Sequence, residues 1–163
     1  LNYAASIGHS ALRVWAMGDR AFAEAATEDD FEVMATELRS ALRAGAIGFT
    51  TSRSAGHMTP DDRPVASRLA TWQELSALVH IVASESSAVF QLTHERPREP
   101  GGKEDYRRRL SELVLSSGIR MAYGTWQDPM GAPGIDFVDE MVAQGGDVHA
   151  FTHCRSALTG WSA

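Results

Sequence analysis

Basic and hydroxyl-bearing side chains recur in this sequence just after short apolar runs. His9, Ser52 with Arg53, His94 with Arg96, Thr125 with Gln127, and His153 with Arg155 each lie within a residue or two of such a run. If the runs are strands of a parallel sheet, all these residues gather at one end of it, where α/β folds place their chemistry. Imidazole is the commonest metal ligand and a general base near neutral pH. Guanidinium can grip a carboxylate through two parallel N–H donors. A loop histidine also commonly bonds backbone alone, so the residue types leave ligation and simple bracing both open. His57 in a long loop and His80 within a helical stretch carry no functional assignment. His149 lies inside a strand-like run, where packing or a hydrogen bond on the sheet face is expected. Carboxylates are scarce at the run ends: Glu95 follows His94 and can point either way, and Asp128 before Pro129 reads as a turn residue. Cys154 adjoins His153, but neighbours on extended backbone point apart, which disfavours a thiol–imidazole pair.

The elements that must position these groups alternate regularly. Thr27-Glu28-Asp29-Asp30 joins a hydroxyl cap to acidic residues in a first helical turn. Phe31, Met34, Leu38, Ala41 and Leu42 then recur at helical spacing up to Gly45. Residues 46–51 read as a strand, followed by a polar loop with Gly56, Pro60 and Pro64. Thr71-Trp72-Gln73-Glu74 has capping-box spacing and opens a helix through Leu75, Leu78, Val79 and Val82. The pattern repeats with strands at 88–93, 119–123 and 147–152 and helices at 104–116 and 135–144. Residues 1–7 add a first strand. Such alternation predicts parallel strands in sequence order with helices outside. Periodicity alone does not separate an open sheet from a closed barrel. No Gly-x-Gly-x-x-Gly follows any strand, which argues against dinucleotide binding.

Composition narrows the class of protein. With 15 Lys and Arg against 21 Asp and Glu in 163 residues, the formal charge is −6, which disfavours nucleic acid as a partner. The basic stretch Tyr106-Arg107-Arg108-Arg109-Leu110 has Glu104, Asp105 and Glu112 beside it and reads as a solvated helix face. One cysteine rules out an intrachain disulfide and fits a reducing, cytoplasmic setting. No apolar run approaches the ~20 residues of a membrane span.

Two stretches resemble the N-acyl-D-amino-acid deacylases of the amidohydrolase superfamily. One is Ile7-Gly8-His9-Ser10-Ala11-Leu12-Arg13 with Met17-Gly18. The other is Ala41-Leu42-Arg43-Ala44-Gly45-Ala46-Ile47-Gly48-Phe49-Thr50-Thr51. The loop from Ser52-Arg53 to Arg63-Pro64-Val65-Ala66-Ser67-Arg68-Leu69 is similar to a branch of the broader amidohydrolase family. The resemblance implies a (β/α)₈ TIM barrel, of which residues 1–163 form a partial domain covering about strands three to seven. The start at Leu1 within a strand and the stop at Ala163 without a following helix fit truncation at both ends. It implies zinc-assisted hydrolysis of a small N-acyl amino acid or related amide, with the catalytic aspartate outside the chain. His94, in Thr93-His94-Glu95-Arg96, inherits the metal-ligand role. His9, Arg53, Arg96 and His153 are expected to contact substrate or to brace residues that do. The family's next ligand histidine falls on Thr125, a poor zinc ligand, and its substrate-binding lysine falls on Gln127. These departures keep two rivals in view: a degenerate barrel that binds a ligand or packs in an assembly, and a cyclic-amide hydrolase. The Gly-His-Ser-Ala-Leu-Arg segment argues against the cyclic-amide reading.

Overall fold

Five short strands lie side by side in a computed structural model that describes residues 3–95, 97, 99–125 and 134–151. They are β1 (Ser6–Gly8), β2 (Gly48–Ser52), β3 (Val89–Thr93), β4 (Met121–Gly124) and β5 (Val148–Phe151). All neighbours are parallel and follow sequence order from β1 to β5. The helices are α1 (His9–Met17), α2 (Glu28–Arg43), α3 (Trp72–Glu85), α4 (Gly102–Ser117) and α5 (Ile135–Ala143). Among the described residues, no helix is long and apolar enough to cross a membrane.

The capping chemistry read from sequence is present in part. At α2 the Thr27 hydroxyl accepts from the Asp30 N–H, and the Asp30 carboxylate accepts from the Thr27 N–H at 3.0 Å, a complete capping box. At α3 the Thr71 hydroxyl accepts from the Glu74 N–H at 3.0 Å, but the Glu74 carboxylate does not return to the cap. It is drawn instead to His9 and Arg13.

Strand alternation divides the sheet into two unlike faces. Phe49, Phe90, Leu92, Met121 and Tyr123 are buried against Leu38, Leu75, Leu78, Leu110, Val114 and Phe137 of the helices. The opposite face carries Ser6, Thr50, Gln91, Thr93 and His149, and no helix covers it among the described residues. His149 is exposed there and hydrogen-bonded to Asp147 at 2.7 Å, the in-strand role expected of it.

Two local expectations are corrected. The first strand occupies Ser6–Gly8, and residues 3–5 are not strand. Helix α1 was not anticipated. Its buried stripe is His9, Leu12, Arg13 and Met17, which has helical spacing, but two of its four members are ionisable and hide the apolar period.

Candidate functional site

The carboxyl ends of β1, β2 and β3 hold two linked polar clusters. The first is built around His9, which directly follows β1 as the first residue of α1 and is fully buried. Its Nδ1 lies 2.9 Å from the Thr51 hydroxyl of β2 and its Nε2 2.8 Å from Glu74 of α3. Arg13, one helical turn on and equally buried, donates to the other Glu74 oxygen at 2.5 Å and to the Glu24 carbonyl at 2.7 Å. Burial lowers the His9 pKa more than Glu74 raises it. Burial also acts to raise Glu74, but His9 and Arg13 outweigh it and hold that carboxyl below its usual range. The imidazole is therefore neutral and Glu74 ionised. Nε2 donates to the carboxylate, which leaves Nδ1 to accept from the Thr51 O–H.

The second cluster is built around Arg53, just past β2. Its guanidinium pairs with Glu95, donates to the Ala70 carbonyl at 2.7 Å, and lies 5.3 Å over the Trp72 ring. Arg109 of α4 covers Trp72 at 4.8 Å and approaches Glu95 at 3.8 Å. Two cations thus contact the indole; Glu95 neighbours both, and Arg109 is also paired with Asp105 at 2.8 Å. Trp72 also meets Tyr106 at 5.9 Å, and the Tyr106 hydroxyl lies 2.9 Å from His94 Nδ1. Burial pushes the Tyr106 phenol well up, so it stays protonated and donates to that nitrogen. His94 Nε2 lies 3.4 Å from the Gly124 carbonyl at the end of β4, and its ring packs 4.4 Å from Tyr123.

The structure thus brings His94 and Arg53 together through Trp72 and Tyr106, and seats His9 behind Thr51 on the helix side. Arg96 and His153 lie outside the described residues, as do Gln127, Asp128 and Cys154. Thr125 donates its hydroxyl to the Phe151 carbonyl at 3.3 Å. Among the described residues no three His, Cys, Asp or Glu side chains converge on a point that could hold a cation. A lone imidazole does not hold zinc, so these residues do not fit the metal by themselves. To act as a ligand, His94 must release Tyr106 or Gly124 from one ring nitrogen.

Sequence reasoning missed Glu74, Thr51, Trp72 and Tyr106, and left Glu95 open. The Arg53–Glu95 pair was accessible in principle. Parallel register sets Ser52 beside Thr93, so the residues after each strand meet. The His9–Glu74–Arg13 cluster spans 61 residues between Arg13 and Glu74, and no local spacing announces it.

In front of these clusters lies a cleft of ≈340 Å³ whose lining includes Ser10, Thr50, Ser52, His57, Gln91 and Thr93. The Ser10 hydroxyl donates to that of Ser67 at 3.0 Å, and Ser67 donates on to the Ser52 carbonyl at 2.9 Å. Ser52 Oγ lies 2.6 Å from His57 Nδ1.

No family model matches this chain, and no curated protein matches it. Among solved structures, the chain is similar to N-acyl-D-glutamate deacylase from Bordetella bronchiseptica, with a TM-score of 0.69 and 24% identity. That structure is complexed with zinc and a phosphonate inhibitor that mimics the reaction's tetrahedral intermediate. The match covers 92% of this chain and 30% of the deacylase. At this identity the likeness shows the α/β fold with its parallel sheet.

Proposed function

We propose that this chain is part of a (β/α)₈-barrel hydrolase of the amidohydrolase type, supplying about strands three to seven and acting on the amide bond of a small N-acyl amino acid or related compound. One observation carries the reading. Imidazole, guanidinium and carboxylate groups converge past the carboxyl ends of successive parallel strands, where barrel enzymes keep their catalytic groups. The shared fold with a zinc-bound deacylase supports it. In this reading His94 is the point at which these residues touch a metal. Arg53, braced by Glu95 and Trp72, borders the substrate with Arg96 and His153, and His9 braces the Thr51 segment from behind.

The test is hydrolysis by the full-length protein of a panel of N-acyl-D-amino acids, N-acetyl-D-glutamate included, with zinc content measured alongside. Release of free amino acid is expected, and His94→Ala should lower bound zinc and turnover together. A zinc-free protein that turns over none of the panel would end this reading.

A second reading, a degenerate barrel that binds without hydrolysis, is favoured by Thr125, whose hydroxyl is committed to a backbone carbonyl. Saturable binding of an N-acyl amino acid by zinc-free protein, without turnover, would select it.

A further inference from the structure

We propose that Ser52 and His57 form a nucleophile–base pair that takes an acyl group from activated esters or thioesters at the cleft beside β2. The proposal uses none of the residues assigned to amide hydrolysis and needs no metal.

Ser52 ends β2 at the carboxyl edge of the sheet, and its hydroxyl lies 2.6 Å from His57 Nδ1. Both residues line the ≈340 Å³ cleft. With Nδ1 accepting from the serine O–H, the imidazole proton sits on Nε2, the tautomer a general base requires. Other aliphatic hydroxyl–imidazole contacts mark the contrast, Ser116 with His80 at 3.4 Å among them. Thr51 meets His9, but both are buried and His9 is engaged by Glu74. Ser76 and His80 lie 3.5 Å apart on the outer helix α3.

Backbone anchors hold each partner in place. The Ser52 carbonyl accepts from Ser67 Oγ at 2.9 Å, and the next N–H, of Arg53, donates to the Thr93 carbonyl at 2.9 Å. The His57 N–H donates to the Ser54 carbonyl at 3.1 Å. The His57 carbonyl accepts from the Val65 N–H at 3.3 Å and from Arg68 at 3.2 Å. A bridge between Met58 and Pro64 closes the loop behind it. The short contact therefore joins two positioned residues.

The chemistry follows. Ser52 Oγ forms a bond to the acyl carbon as its proton passes to His57 Nδ1. The bond from that carbon to the aryloxide or thiolate breaks, and the leaving group departs with the electron pair. The His57 proton passes to the departing aryloxide or thiolate, which leaves as the phenol or thiol and returns the imidazole to its neutral form. Water, losing a proton to His57, then attacks the acyl-serine; that proton passes to Ser52 Oγ as the ester bond breaks, releasing the carboxylic acid and free Ser52. No carboxylate backs His57 among the described residues. The base is thus that of a dyad, which suits a good leaving group better than an amine.

The test uses the full chain after metal chelation, so that failure of amide hydrolysis and failure of this pair are read separately. A fluorophosphonate should add covalently to the peptide containing Ser52, and p-nitrophenyl acetate should be turned over. Ser52→Ala should abolish both. His57→Gln should slow them by ~10²-fold or more, the usual share of a general base, with its circular dichroism unchanged. Adduct mapping on the wild-type protein decides the matter even if a variant misfolds. Label absent from Ser52, spread equally over other serines, or formed as fast in His57→Gln would overturn the proposal.

Discussion

Glu74 carries more than its sequence context announces. Its spacing from Thr71 marks it as a capping carboxylate, and half of that reading holds, since its N–H is capped. Its side chain answers instead to Arg13 and His9, both fully buried. Removing one member of a buried ion pair leaves the other charge uncompensated. Glu74→Gln should therefore cost about 3–5 kcal/mol in denaturant unfolding, whereas substitution of the exposed pair Arg108–Glu112 should leave the denaturation midpoint close to unchanged. The pH dependence has a definite sign. His9, lowered from 6.5 in the fold, takes up a proton more readily when unfolded, so its share of stability falls as pH drops below about 6.5. Glu74, lowered from 4.5, contributes above that value, and its share is lost as pH falls through its folded pKa. Both act in the same direction. Unfolding free energy followed by urea titration should begin to decline in the weakly acidic range, and His9→Gln should remove the upper part of that decline. An unchanged profile in His9→Gln would show that the imidazole is not held neutral. At this scale the sequence was half-legible: it marked His9, Arg53 and His94 as worth watching, but partners on other elements decide what those groups can do.

Elements were easier to read than residues, because periodicity and caps are local. The Thr27 and Thr71 caps were both visible, though the capping box expected at Thr71 is found at Thr27 instead, and β2 through β5 fall within a residue or two of their expected bounds. Helix α1 escaped because His9 and Arg13 occupy its buried stripe while Val14 and Trp15 are exposed. Thr71→Ala should destabilise by about 1 kcal/mol through loss of the N-cap, seen as a lower denaturation midpoint without a change in m. Gly48 is a stricter position. A Cβ there would sit 2.6 Å from Ser6 Oγ and 2.9 Å from the Val89 carbonyl. The hydroxyl can turn aside, but the carbonyl belongs to the neighbouring strand. Gly48→Ala should therefore cost about 1–3 kcal/mol as overpacking, and a neutral result would mean that β2 and β3 can part locally.

The whole molecule presents one greasy and one polar sheet face, with β1 and β5 at its edges among the described residues. Unpaired edges invite pairing with other chains. Residues 1–163 expressed alone should self-associate with rising concentration in sedimentation experiments, and a monomer at all concentrations with a sharp melt would show a self-sufficient domain. The parallel, sequential order was legible because right-handed crossovers leave few alternatives. The polar face was less so, since Thr50, Gln91 and Thr93 look like ordinary alternation until one sees that no helix among the described residues covers them. The unbroken order from β1 to β5 also means that each strand–helix unit touches chiefly the units beside it. Energetic communication then behaves like a row of dominoes, with coupling handed from neighbour to neighbour and fading with each step. A change at Gly8 should be felt at Thr50 and hardly at all at Val148. Amide exchange would record this as protection lost in a graded front, in place of uniform loosening.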